Sequence, residues 1–183
     1  MRGRRSESKR LVIDTSVARA SGRESAVDPT ATSCRDFLQT VLNVCHQMVF
    51  SREIREEWKE HWSRFTRKWR VQMEARKKVV RCPDTEDKTF RDKIRASSCS
   101  DADCEAMLKD VFLIEAALAT DSTVASLEKV ARGLFATASK DVKELRNIVW
   151  VNPSLPEEES LQWLEDGAKP EEDRMLKRFS EEN

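Results

Sequence analysis

The sequence predicts an α/β protein of three layers, in which a central parallel sheet of four to five short strands lies between helices. Two observations predict this fold. Short apolar runs, too short for helices, alternate along the chain with longer segments whose apolar residues recur every three or four positions. The chain also has 183 residues, of which 39% are hydrophobic, so it can bury a core of this size. Strands that alternate with helices form βαβ units, which build a parallel sheet covered on both faces.

The strand candidates are short runs of aliphatic residues, and the first three end at a polar side chain. These ends are Asp14, Ser51 and Ser126. In an open parallel sheet, ligands bind beyond the carboxyl ends of the strands, so we expect these side chains to share one edge. The predicted strands cover residues 10–14, 48–51, 123–126 and 147–152.

Most segments between the strands predict helices. The first is an exception, because residues 15–32 contain Gly22 and Pro29 and therefore predict a loop with at most one helical turn. Ser100 and Asp103 form a capping box, which predicts the start of a long helix. The predicted helices cover residues 33–47, 52–78, 86–96, 101–119 and 129–137.

The helix predicted over residues 52–78 carries an aromatic stripe. An exposed stripe would be a platform on which nucleic-acid bases stack, whereas a buried stripe would be part of the core. We favour the core, because an exposed apolar surface of this size promotes aggregation. The basic residues of the segment then face solvent and are candidates for nucleic-acid binding: Arg64, Arg67, Lys68, Arg70, Lys77 and Lys78. The stripe consists of Trp58, Trp62, Phe65, Trp69 and Met73.

Charge is distributed unevenly, although Lys+Arg and Asp+Glu both number 33. Residues 52–81 hold eleven Lys and Arg against five Glu, which suggests a basic surface for a polyanion. We expect a disordered basic arm at 1–9, one folded domain at 10–152 with an extended helical insertion at 58–100, and an acidic extension at 153–183.

The cysteines and the apolar runs predict a cytoplasmic protein with no membrane segment. The five cysteines show no C-x-x-C spacing, and an odd number cannot all pair within the chain, so we expect free thiols in a reducing compartment. The apolar run that follows the basic N-terminus is too short for a signal peptide. The longest apolar stretch is too short to cross a bilayer.

Four carboxylates are expected at the common edge of the sheet. Asp14 and Glu128 follow strands, Glu57 lies about two turns into the helix after the second strand, and Asp110 lies in the helix before the third. Converging carboxylates repel one another unless a cation lies between them, and oxygen ligands favour Mg²⁺ or Mn²⁺. Such an ion can activate water for attack on a phosphodiester.

Each acid has an ordinary structural interpretation when it is considered alone. Asp14 could cap a turn, Asp110 could pair with an arginine, and Glu128 could favour the dipole of the helix that it starts. Glu57 lies in a helix rich in charge and could be a surface residue. The metal interpretation therefore depends on all four acids reaching one place.

The acids occur in four short motifs whose order and spacing resemble those of the PIN-domain nucleases, a family that includes the VapC-type toxins. A strand ends in an Asp-Thr-Ser triplet, a strand-terminal Ser precedes a helix that bears a Glu, an Asp opens an aliphatic and alanine-rich helix, and a strand is followed by Ser, any residue and an acid. The resemblance covers residues 10 to about 152. The motif residues are Asp14, Thr15, Ser16, Ser51, Glu57, Asp110, Ser126 and Glu128.

The resemblance implies an endoribonuclease that hydrolyses RNA with Mg²⁺ or Mn²⁺. The catalytic and metal-binding residues would be the four acids, with Ser16 and Ser126 as supporting polar groups. It also implies a homodimer, and for a toxin an antitoxin partner. The fourth acid departs from the family, which usually has Asp where this chain has Glu128. The alternative is therefore a degenerate PIN-like fold that serves as a nucleic-acid-binding or protein-interaction scaffold.

Overall fold

The computed structural model describes residues 7–22, 25 and 27–180. It contains a five-stranded sheet in the order β3-β2-β1-β4-β5, and every neighbouring pair of these strands is parallel. The strands are β1 (Arg10–Ile13), β2 (Gln47–Phe50), β3 (Val79–Arg81), β4 (Thr123–Ala125) and β5 (Val149–Val151).

Helices cover both faces of the sheet. Helices α1, α2, α4 and α8 pack together, and α5, α6, α7 and α9 form a second group of neighbours. Right-handed crossovers produce this division, because connections that run in opposite directions across a sheet leave their helices on opposite faces. The predicted three-layer α/β/α fold is confirmed. The helices are α1 (Thr15–Ser21), α2 (Pro29–Asn43), α3 (Arg52–Glu60), α4 (Arg64–Ala75), α5 (Lys88–Arg95), α6 (Asp101–Leu118), α7 (Lys129–Ala138), α8 (Ser160–Glu165) and α9 (Leu176–Phe179).

The central strands are buried on both sides, which explains their continuous apolar sequences. Leu11, Val12 and Ile13 of β1 are all buried, as parallel strands between two helical layers must be. The outer edge of β5 is covered by the end of the chain, where Met175 forms an antiparallel bridge with Val149. This contact protects backbone groups that an uncovered edge strand would expose.

The prediction of a loop over residues 15–32 is wrong for most of that segment. Helix α1 begins directly after Asp14, and α2 begins at Pro29. Asp28 caps α2 through a hydrogen bond that its side chain accepts from the Ala31 N–H. Proline suits the first turn of a helix, because it has no N–H to satisfy and its φ is already helical. Pro29 therefore begins a helix here.

The single helix predicted over residues 52–78 is also wrong, because it is divided into α3 and α4. Ser63 and Thr66 form a capping box that starts α4, in which the Ser63 Oγ accepts from the Thr66 N–H and the Thr66 Oγ1 accepts from the Ser63 N–H. The chain after α4 forms β3, which pairs with β2 and was not predicted. Part of the expected insertion at 58–100 thus belongs to the central sheet.

The aromatic stripe contributes to the core, as expected. Trp58 and Trp69 are fully buried and stack with ring centroids 5.8 Å apart. The Trp69 indole donates to the Leu38 carbonyl of α2, which joins α4 to α2. Trp62 and Phe65 are half-buried at the margin of this cluster.

The two ends of the described chain pack on the body of the domain. The predicted basic arm lies outside the described residues over 1–6, but Ser8 and Lys9 hydrogen-bond to Cys45 and His46. In the acidic extension, Trp163 is buried, and the Leu164 carbonyl hydrogen-bonds to the buried imidazole of His46. The five cysteines are free thiols. Each described helix is too short or too polar to span a bilayer.

Candidate functional site

The candidate site lies where the strand order reverses. Strand β1 has β2 on one side and β4 on the other, so the chain leaves β1 and β4 towards opposite faces of the sheet. A crevice opens beyond the carboxyl ends of strands at such a point. Asp14 directly follows β1, and Ser126 directly follows β4.

Asp14 is held by hydroxyl groups from both strand ends. Its Oδ2 accepts hydrogen bonds from Ser16 Oγ at 2.5 Å and from Ser126 Oγ at 2.7 Å. The same hydroxyls accept from backbone N–H groups, Ser16 from Leu127 and Ser126 from Glu128. Among the described residues no donor binds Oδ1, so this oxygen is the one that remains to receive a ligand.

Glu57 lies at the crevice because hydrogen bonds hold α3 next to the end of β1. The Ser51 side chain caps α3 by accepting from the Ile54 N–H, and the indole of Trp58 donates to the Ile13 carbonyl at 3.0 Å. Glu57 immediately precedes that tryptophan. Its Oε2 accepts a 3.2 Å hydrogen bond from Thr15 Oγ1, next to Asp14 in the chain.

Asp110 and Glu128 approach from the other helical layer. Asp110 lies on α6, which packs against β1 and β4, and it is half-buried beside the core residues Met107 and Val111. Glu128 precedes the first residue of α7. Its carboxylate lies 3.8 Å from the guanidinium of Arg19, with half of the Glu128 side chain exposed.

The four predicted acids line a single cleft of about 280 Å³. The cleft also contains residues that the sequence interpretation did not place there, namely Arg19 and Glu60. His61, at the end of α3 and one turn after Glu57, also lines the cleft. The complete lining is Asp14, Thr15, Ser16, Arg19, Glu57, Glu60, His61, Asp110 and Glu128.

Burial and the neighbouring negative charges raise the pKa values of two carboxylates of the cleft, Asp110 and Glu57. Burial, together with the charges of Asp14 and Glu128, raises the pKa of Asp110 to about 6. The pKa of Glu57 is raised by burial and by the charges of Asp14 and Asp110, against the opposing effect of the Thr15 hydrogen bond. A cation in the cleft would relieve this repulsion.

The donor set suits a hard divalent cation, although its members are spread apart. Carboxylate and hydroxyl oxygens are the ligands that Mg²⁺ and Mn²⁺ prefer. Within residues 7–22, 25 and 27–180, no three His, Cys, Asp or Glu side chains are close enough together to hold a metal ion. Glu128 pairs with Arg19, and carboxylates without a cation between them repel one another.

Comparison with family models, curated proteins and solved structures gave no significant match. The chemistry of the cleft therefore has to be inferred from its own residues.

The predicted nucleic-acid-binding residues fall into two groups. Lys78 is half-buried and donates to the Val41, Leu42 and Val44 carbonyls at the end of α2. Arg70 bonds to Glu74. Both cations make contacts within the fold, and their role in nucleic-acid binding stays a prediction. The others are exposed on or just after α4: Arg64, Arg67, Lys68 and Lys77.

Asp121, the acid in the turn before β4, lies at the opposite end of the sheet from Glu128. It accepts hydrogen bonds from the backbone and side chain of Arg10, the first residue of β1. The hydrogen bond from the Arg10 side chain lowers the pKa of Asp121. The negative charge of Asp121 is therefore paired with Arg10, away from the cleft. Glu128 is therefore the acid that follows β4 into the cleft.

Proposed function

We propose that the protein is a divalent-metal-dependent endoribonuclease, as its resemblance to the PIN-domain family implies. The single observation that carries the proposal is the convergence of Asp14, Glu57, Asp110 and Glu128 on one cleft at the reversal point of the sheet. These residues come from four separate parts of the sequence. Their assembly beyond the carboxyl ends of the strands places them where ligands bind in this class of sheet.

The residues that would hold the ion are Asp14, Glu57 and Asp110, joined by Glu128. The two serine hydroxyls fix the orientation of the Asp14 carboxylate and leave its Oδ1 for the ion. When bound, a divalent ion would lower the pKa of water and offset the charge that develops on the phosphate.

The reaction is hydrolysis of a phosphodiester. An oxygen–phosphorus bond forms to water, and the bond from phosphorus to the leaving ribose oxygen breaks. Water gives up one proton, and the leaving oxygen takes up one from solvent. The proton of the attacking water passes to solvent, since Glu57 and the other acids that line the cleft are assigned to the ion.

The exposed cations of α4 would bind the phosphate backbone of the RNA near the cleft. The cleft contains five acids and would repel a polyanion. Arg64 lies at the start of α4, just after the His61 that lines the cleft. Basic residues here draw the phosphate backbone towards the acids through counterion release, a contribution that does not depend on sequence.

A scaffold without hydrolytic activity is the second candidate. The observation that favours it is the spacing of the acids, since no three of them among the described residues are gathered at ligand distance. On this account the Arg19–Glu128 pair would neutralise part of the cleft, and the basic residues of α4 would bind nucleic acid without cleaving it.

A cleavage assay separates the two candidates. Purified wild-type protein, Asp14→Asn, Asp110→Asn and the control Asp92→Asn are incubated with structured and single-stranded RNA in Mg²⁺, Mn²⁺ or EDTA. Asp92 is an exposed acid on α5 that does not line the cleft. The nuclease proposal expects metal-dependent cleavage by wild type and Asp92→Asn, and none by the two cleft variants. Cleavage that survives in either cleft variant, or that is absent from folded wild type, would contradict it.

A further inference from the structure

Arg19 is a permanent positive charge in a cleft dominated by acids. It lies on α1 one turn after Ser16, and it lines the cleft with Asp14, Glu57, Asp110 and Glu128. Among the described lining residues it is the only lysine or arginine. The fold therefore places one guanidinium beside the carboxylates that would hold an ion.

The pair between Arg19 and Glu128 is loose. The guanidinium Nη2 is 3.8 Å from Glu128 Oε1, and the two side chains are 62% and 49% exposed. An exposed pair of this kind contributes about 0–1 kcal/mol, so a better partner can displace either side chain. The backbone at Glu128 is fixed by the hydrogen bond from its N–H to Ser126 Oγ, which leaves the carboxylate as the movable part.

A phosphate is a better partner for Arg19 than Glu128 is. The planar guanidinium donates two parallel hydrogen bonds to phosphate oxygens, a geometry that the resting contact with Glu128 does not reach. Once Glu128 is released from Arg19, its negative charge is no longer paired and can contribute to binding a cation in the cleft. Phosphate binding and cation binding would then reinforce each other, because any coupling between two ligands is reciprocal.

We propose that Arg19 binds the phosphate of the RNA substrate and that Glu128 is its resting partner, which the phosphate displaces. This inference rests on the proposed function, since it takes the cleft to be the place where an RNA phosphate meets a divalent cation. It also gives a reason for glutamate at position 128, because the longer side chain can reach either Arg19 or the centre of the cleft.

A purely structural role is the competing explanation. Arg19 lies in the last turn of α1, where a cation stabilises the helix dipole. Loss of that contribution would lower the melting temperature slightly and would leave the affinities for Mn²⁺ and RNA unchanged.

The test compares wild type with Arg19→Ala and Arg19→Lys, and it uses Arg95→Ala as the control. Arg95 is an exposed arginine on α5 that does not line the cleft. Mn²⁺ alone is titrated calorimetrically into each protein. We expect Arg19→Ala to bind Mn²⁺ about three- to tenfold more tightly, because a repelling charge has been removed. Arg19→Lys and Arg95→Ala should bind as wild type does.

A second measurement follows the binding of a short single-stranded RNA by fluorescence anisotropy in EDTA, where cleavage cannot contribute. Arg19→Ala should bind RNA about tenfold more weakly, and Arg19→Lys should recover part of the loss. The slope of log affinity against log salt should fall by about 0.7 in Arg19→Ala. If Arg19→Ala binds both Mn²⁺ and RNA as wild type does, or if wild type binds no RNA, the inference is overturned. Absence of cleavage with these shifts intact would remove only the nuclease proposal.

Discussion

Ser126 Oγ donates a 2.7 Å hydrogen bond to Asp14 Oδ2, and the two residues are 112 positions apart in the sequence. The bond joins the end of β4 to the end of β1, the two strands that meet where the sheet order reverses. It has a partner in Ser16, whose hydroxyl binds the same oxygen and also accepts from the Leu127 N–H. The centre of the cleft is therefore held by hydrogen bonds that need no ligand.

Asp110→Asn should stabilise the protein in the absence of divalent metal. A pKa raised from 3.8 to about 6 means that the folded state binds this proton more tightly than the unfolded chain does. The ionised carboxylate therefore destabilises the fold at pH values above about 6, and the full shift corresponds to about 3 kcal/mol. Solvent screening of the half-buried side chain reduces this cost to about 2 kcal/mol. At pH 8 in EDTA, the melting temperature of Asp110→Asn should exceed that of wild type by about 4–8 °C.

The difference in melting temperature between Asp110→Asn and wild type should depend on pH. The gain should shrink as the pH falls through about 6, because wild-type Asp110 then becomes protonated as well. Asp92→Asn should change the melting temperature little at any pH, since that carboxylate is exposed. A variant Asp110→Asn that is less stable than wild type at pH 8 would show that the acids of the cleft do not repel one another as described.

Arg91→Ala should destabilise the protein far more than Arg95→Ala, although both arginines lie on α5. Arg91 forms two hydrogen bonds with the buried carboxylate of Glu115, at 2.8 and 2.9 Å. Its removal leaves a buried charge without its cation, which costs about 3–5 kcal/mol. Arg95 pairs with Asp92 on the surface, so its loss should cost less than about 1 kcal/mol. Urea unfolding of both variants measures the difference, and equal losses would contradict it.

Substitution of Lys78 should affect the stability of the fold, whereas substitution of Arg64 should affect RNA binding. Lys78→Met removes hydrogen bonds to carbonyls at the end of α2 and should lower the free energy of unfolding by about 1–3 kcal/mol. It should leave the salt dependence of RNA binding unchanged. Arg64→Ala should show the reverse, with little change in stability and a slope lower by about 0.7. Urea unfolding and anisotropy give the two quantities, and a large loss of RNA affinity in Lys78→Met would contradict this division of roles.

Trp163→Ala and Leu161→Ala test whether the acidic extension is part of the core. Both residues belong to α8, but Trp163 is 3% exposed and Leu161 is 37% exposed. Truncation of the buried tryptophan should cost about 3–5 kcal/mol, whereas the leucine should cost less than about 1 kcal/mol. The Trp163 indole also donates to the Lys169 carbonyl. If thermal unfolding gave both variants the wild-type melting temperature, the extension would be dispensable for folding.

The sequence was sufficient to predict the layers of the fold and the strands that carry the site. Aliphatic runs such as 10–14 are reliable strand signals, and the residue that ends each run is visible in the sequence. Element boundaries were less predictable. Gly22 and Pro29 favour a loop in the sequence, and only the structure shows that Asp28 caps a helix there. The break at Ser63 was missed because the apolar stripe continues across it in register.

The sequence could nominate the acids of the cleft one by one, but it could not show what surrounds them. Arg19 follows a strand-terminal motif at helical spacing, yet a lone arginine in an assumed loop gave no reason to select it. The structure was also needed to show which of the predicted nucleic-acid-binding residues contact other parts of the fold. Lys78 and Lys77 are adjacent in the chain, and only the side chain of Lys78 is known to contact the end of α2.

The most direct test of the account is a calorimetric titration of Mn²⁺ into wild type, Asp14→Asn and Asp92→Asn at neutral pH. Asparagine at position 14 can still accept the hydrogen bonds from Ser16 and Ser126, so the fold should survive the loss of charge. The account predicts saturable binding to wild type and Asp92→Asn, and none to Asp14→Asn under the same conditions. It would be contradicted if folded wild type bound no Mn²⁺, or if Asp14→Asn bound the ion as tightly as wild type.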